Sequence, residues 1–138
     1  MIDYDKFRLS LKRLEEQHDN HRQQEPGLSE LTRDGIAESV IQRFETCYDC
    51  LWKVLKRYLD EELGIAEPPN SLKPLMRLAH ENGLLASPLE QWFQYTQART
   101  DTTHDYDSEK AQACLELMPA FIDDAIGLYQ TMTGATWE

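Results

Sequence analysis

Residues 40–59 read VIQRFETCYDCLWKVLKRYL, and this stretch decides the fold. Val40, Ile41, Phe44, Tyr48, Leu51, Trp52, Leu55 and Leu59 recur at helical spacing through about five turns, with polar residues on the other side. A strand would need alternation with a period of two, and no segment of the chain shows it. The spacing predicts a long helix over roughly 33–63. Gly64 is a natural C-terminal stop, and Pro68-Pro69 turns the following segment out of helix.

The same periodicity extends outward in both directions. Tyr4, Phe7, Leu11 and Leu14 form one stripe, so residues 3 to about 22 read as an amphipathic helix ended by Glu25-Pro26-Gly27. A polar connection leads to about Thr32. Beyond the long helix, Ser71 caps a short third helix closed by Gly83. Ser87-Pro88-Leu89-Glu90 reads as a capping box with proline at the first helical position, starting a fourth helix that runs toward Thr102. Asp107 is an N-cap for a fifth, reaching about Met132, with Cys114, Met118, Phe121, Ile122, Ala125, Ile126 and Tyr129 as its apolar stripe. Pro119 falls inside it and is expected to kink it. The expected fold is all-α: an up-down bundle of four main helices plus a short one, spanning 1–138 as a single domain.

Charge limits the function classes. The net charge is -11, from 25 acidic and 14 basic residues, which excludes broad electrostatic attraction to nucleic acid. Any RNA chemistry would need a local cleft. No apolar run is long enough to span a membrane, and the first residues lack a signal-peptide pattern, so a cytoplasmic location is expected. Three cysteines, an odd number, point to reduced thiols rather than a disulfide framework. Cys47 and Cys50 resemble a redox pair, but they lie in mid-helix, where no helix N-terminus lowers a thiol pKa, and core packing explains them better. Asp49 and Lys53 read as an i,i+4 ion pair on the same helix.

The candidate chemistry sits at residues 99–106, RTDTTHDY. Arg99 is a permanent cation able to fork onto a phosphate, and His104 can exchange protons near neutral pH. Tyr106 adds a phenol that can itself be modified. Spacing alone is a weak signal, since Arg13 and His18 repeat it inside a charged helix face. The bland alternative is a cationic helix end that complements the macrodipole. On a continuous helix Arg99 and His104 are about 140° apart. They converge only if the helix ends or bends between them, and the Thr-rich stretch before Asp107 suggests that it ends.

The wider pattern resembles the HEPN proteins, and within them the HepT-like, or nucleotidyltransferase substrate-binding, family. Its Arg-x4-His-x-Tyr motif matches Arg99, His104 and Tyr106. Ile41 to Glu45 followed by Trp52-Lys53 resembles its long-helix signature, and Ser71 to Leu85 resembles its following segment. Thr100 stands where the family often has asparagine after the arginine, and it keeps a hydroxyl but loses the amide.

The resemblance implies a homodimer in which two Arg/His pairs face each other across a cleft. It implies a metal-independent ribonuclease toxin with no cofactor. The implied partner is a small MNT-type nucleotidyltransferase antitoxin, which transfers AMP onto Tyr106. In that chemistry the RNA 2′-OH is the nucleophile, His104 is general acid or base, and Arg99 stabilises the charged transition state. Asp101 or Asp105 would orient His104, and Thr100 would support the site. The alternative is a non-catalytic substrate-binding subunit of a two-component nucleotidyltransferase. A plain helical dimerisation module is a third reading.

Overall fold

In the computed structural model, residues 1–104 and 107–138 are described, with the side chains of Thr103 and His104 outside the description. The chain forms five helices: α1 (Asp5–Arg22), α2 (Glu30–Glu61), α3 (Leu72–Glu81), α4 (Leu89–His104) and α5 (Ser108–Thr133). Among the described residues there is no strand, so the all-α expectation holds. At 1.5 Å per residue α2 is nearly 50 Å long. It packs against all four other helices and forms the spine of the bundle.

Local chemistry sets the helix ends. The Ser29 hydroxyl accepts from the Thr32 amide and starts α2 three residues before the position the periodicity suggested. Gly64 closes α2 with φ +69°, its amide bonded to the Asp60 carbonyl and that of Ile65 to Leu59. The bond from the glycine amide four residues back is that of an αL closure, whose left-handed residue favours glycine. Asp107 caps α5 as expected, its carboxylate 2.8 Å from the Lys110 amide. Helix α5 then runs through Pro119, which lies on the exposed side. There water can reach the Leu115 carbonyl, which lacks its usual donor.

The two apolar stripes meet in an aromatic chain. Phe121 of α5 packs edge-on against Phe44 of α2 (4.9 Å between ring centroids) and against Tyr95 of α4 (5.2 Å). Trp92 extends the chain, edge-on to Tyr95 at 5.2 Å. All of these rings are fully buried. Edge-to-face pairs add about 0.5–1.5 kcal/mol each beyond their burial. Their role here is to seat α4 on α2 and α5.

Two polar links secure the same seat. The Tyr48 hydroxyl lies 2.6 Å from Thr96 Oγ1, with both residues buried. Thr96 donates its single proton to the Trp92 carbonyl, so Tyr48 is the donor to Thr96. At the start of α4, the Ser87 hydroxyl donates to Asp124 of α5 at 2.6 Å, and Tyr95 donates to the same carboxylate at 2.5 Å.

Two sequence expectations change. The charged face expected around Arg13 and His18 is solvated at Arg13 and Glu16 but not at His18. His18 is buried at 6% exposure, because it continues the Phe7, Leu11 and Leu14 stripe at helical spacing. Trp137, which periodicity leaves unassigned, packs edge-on to Tyr129 at 5.2 Å beneath the Lys12 ammonium.

Candidate active site around Arg99

One helical turn beyond Thr96, Arg99 reaches back to α2. Its Nε and Nη2 donate to the two carboxylate oxygens of Asp49, at 3.1 and 2.8 Å. Its Nη1 donates to Glu45 Oε2 at 3.0 Å. The first contact is a planar fork on a carboxylate, the geometry in which arginine binds most strongly. Glu45 and Asp49 are four residues apart on one face of α2, where like charges repel. Arg99 offsets that repulsion, which explains why two carboxylates tolerate such proximity. The arginine side chain is 20% exposed, a cation at the mouth of the bundle rather than in its core.

The electrostatics follow from these contacts. The bond to Asp49 holds the Arg99 guanidinium above its ordinary pKa, against the opposing effect of burial, with Glu45 adding to the rise. Burial pushes the Cys114 thiol of α5 up to about 12, and the charge on Glu45 adds to it. Thr102, buried at 6% exposure, places its hydroxyl 3.4 Å from both Glu45 Oε2 and the Arg99 carbonyl. Glu45 therefore sits where α2, α4 and α5 meet.

The structure distributes the expected site residues unevenly. Arg99 is central. Thr100 donates to the Thr96 carbonyl at 3.1 Å, and Asp101 accepts from Gln97 at 2.9 Å, so both bond along α4. His104 was expected in the link after the helix; its backbone instead forms the last residue of α4. The expected helix end between Arg99 and His104 is absent, and their Cα positions stay about 140° apart around the axis. The His104 side chain, Asp105 and Tyr106 lie outside the described residues.

Sequence reasoning missed Glu45 and Asp49 as site residues. The expected partner of Asp49 is Lys53, whereas its carboxylate goes to Arg99 and the Lys53 ammonium lies 5.9 Å from the Trp52 ring centroid. The available signal was two acids four residues apart on a face otherwise next to the core. Cys47 is fully buried and Cys50 partly so, and all three cysteines are free. Among the described residues no three His, Cys, Asp or Glu side chains are grouped to hold a metal, and no helix is long and apolar enough to cross a membrane.

Residues 2–134 match the model of the family described as nucleotidyltransferase substrate binding protein like, and the chain belongs to that family. It is similar to the probable ribonuclease HepT of Haemophilus influenzae, with 27% identity over 104 residues, covering 74% of this chain and 70% of that one. Its fold matches that of Haemophilus influenzae HI0074, described as a substrate binding domain of a nucleotidyltransferase. The TM-score is 0.84 at 22% identity, over 94% of this chain and 98% of that one. A crystal structure of a Thermus thermophilus protein matches with a TM-score of 0.72 at 26% identity, over 90% and 98% of the two chains.

Proposed function

We propose that the chain is a metal-independent endoribonuclease toxin that acts as a homodimer. A small MNT-type nucleotidyltransferase neutralises it by transferring AMP to Tyr106. The observation that carries this reading is the locked Arg99: a permanent cation, partly exposed and held in one orientation, five residues before His104. The similarity to a probable ribonuclease supports it.

In this reading the substrate 2′-OH attacks the adjacent phosphorus while the bond to the leaving 5′-oxygen breaks, giving a 2′,3′-cyclic phosphate and a free 5′-hydroxyl. His104 transfers the proton, and Arg99 stabilises the charge that develops on the non-bridging oxygens, a term typically worth about 10²–10³ in rate. The 140° offset along one α4 is what a second copy would overcome, because facing helices can supply Arg99 and His104 from different chains. Asp101 or Asp105 orients His104, and Thr100 supports the site. AMP on Tyr106 would set bulk and a negative phosphate beside the site and exclude RNA. The protein works in the cytoplasm, where its RNA lies.

The second reading, a non-catalytic substrate-binding subunit of a nucleotidyltransferase, is favoured by the family description and by the two carboxylates that already occupy Arg99. The deciding assay is cleavage of tRNA and total RNA in EDTA by chain confirmed as unmodified by intact mass, beside His104→Ala. Cleavage lost in the variant is the expected result. No cleavage by a folded, unmodified dimer would transfer the assignment to the binding subunit.

A further inference from the structure

A second surface lies a quarter turn around α2 from Arg99. Between α1 and α2 opens a groove of about 560 Å³, lined by Lys6 and Arg13 of α1 and by Gln42, Arg43, Thr46 and Cys50 of α2, among others. None of its lining residues is acidic, although acids outnumber bases 25 to 14 in the chain. Such segregation is not what an acidic surface gives by default. The local charge is fixed as well as positive: Arg43 Nη1 donates to the Arg13 carbonyl across the groove at 2.8 Å, which holds its guanidinium between the helices.

The shape selects among anions. Lys6 and Arg13 are seven residues apart on one face of α1, so their charges form a row about 10 Å long. A single phosphate ion would touch only one end of it, whereas a polymeric anion can touch all three cations. Gln42 and Thr46 add neutral polar groups suited to sugar hydroxyls. On α2, the groove residues Gln42, Thr46 and Cys50 interleave with Glu45 and Asp49 at the same height, their faces roughly 100° apart. The groove therefore lies on the face of α2 next to the one whose carboxylates hold Arg99.

We infer that the α1–α2 groove binds the sugar-phosphate backbone of single-stranded RNA through Lys6, Arg13 and Arg43 and delivers the strand to Arg99. The identity of the polymer rests on the ribonuclease reading; the anion-binding groove does not. The groove resolves the conflict between a chain of net charge -11 and a polyanionic substrate, since the strand meets a local cationic lane free of acidic lining residues.

The test measures binding of a labelled oligouridylate by the full chain carrying His104→Ala, so that RNA stays intact. The groove variant is Lys6→Glu/Arg13→Glu, with Arg43 left alone because it bonds to α1. Lys73→Glu/Arg77→Glu on α3 is the charge-matched control. Three phosphate contacts predict a slope of log K against log salt of about -2, from roughly -0.7 per phosphate on a single strand. The groove variant should lose at least about tenfold in affinity and flatten toward a slope of about -0.7, with the control much less affected.

Cys50 supplies a local readout, as it is the partly exposed cysteine while Cys47 and Cys114 are buried. RNA should slow its alkylation, and polyglutamate of equal length should not. Equal losses in the groove variant and the control overturn the proposal, as does the absence of RNA binding. Equal protection by polyglutamate assigns the groove to an acidic protein, and Cys50 unreactive without RNA assigns it to a second copy; either overturns RNA as the occupant. Groove-dependent binding by a wild-type chain that fails to cleave would overturn the nuclease reading alone. Cleavage with groove-independent binding would overturn the groove alone.

Discussion

Asp49 grips Arg99 through both carboxylate oxygens, at 2.8 and 3.1 Å, and so joins the middle of α2 to the last turns of α4. Asp49→Asn keeps the shape and removes the charge. Its carboxylate is 40% exposed, so the stability cost should be modest, about 1 kcal/mol, read by urea denaturation. RNA cleavage should fall about tenfold or more as Arg99 loosens, with partial recovery in Asp49→Glu. Cleavage unchanged in Asp49→Asn would remove Asp49 from the positioning of Arg99.

Replacing Arg99 with lysine retains the charge but loses the planar fork that spans Asp49 and Glu45. Cleavage should drop about 10²-fold, the order typical of one lost transition-state donor. Single-turnover rates at saturating RNA separate this from weaker binding. A rate equal to wild type would reduce Arg99 to a structural tie.

The Tyr48–Thr96 bond predicts an asymmetry. Tyr48→Phe removes a donor and leaves Thr96 still bonded to the Trp92 carbonyl, at a cost of about 1 kcal/mol. Thr96→Val strands the buried Tyr48 hydroxyl and should cost about 1–3 kcal/mol. The double variant should be no worse than Thr96→Val alone. Denaturant midpoints with unchanged slopes provide the comparison.

His18 gives the fold a pH dependence. Burial lowers its pKa below the ordinary 6.5, Arg22 acts in the same direction, and Asp19 opposes them. Between that lowered value and about 6.5 the unfolded chain holds more protons than the native one, so stability rises with pH across this window. The melting temperature should fall as pH drops below about 6.5, and the fall should shrink in His18→Gln. Identical pH profiles for the two proteins would refute the assignment.

Much of the fold was legible because one physical signal, apolar residues at helical spacing, dominates it. The Phe44, Tyr48 and Leu51 stripe, the Phe121 stripe, and the Gly64 and Asp107 ends all stand where side-chain period and capping chemistry place them. The site was only partly legible. Arg99 could be found by its motif, but its partners Glu45 and Asp49 lie 54 and 50 residues away in sequence, and no local rule pairs residues across that distance. The misplaced end of α4 has a related cause. Thr102 has low helix propensity, yet burial against Glu45 and Arg99 keeps it helical, a tertiary effect that propensity does not carry. At His18 the charged neighbours in sequence mask a place on the apolar stripe.

The arrangement along residues 42–50 bears on how this protein tolerates change. Phe44, Cys47 and Tyr48 face the core, Glu45 and Asp49 hold Arg99, and Gln42, Arg43, Thr46 and Cys50 line the groove. No position in that stretch is idle. On an ordinary surface helix, tolerance to substitution rises and falls every three to four residues as each side chain turns toward water. A saturation scan of α2 should show that rhythm near its ends and lose it between Gln42 and Cys50, leaving a plateau of sensitivity in mid-helix. Substitutions would fail there for three different reasons on three different sides: lost packing, a loosened arginine and a blocked lane.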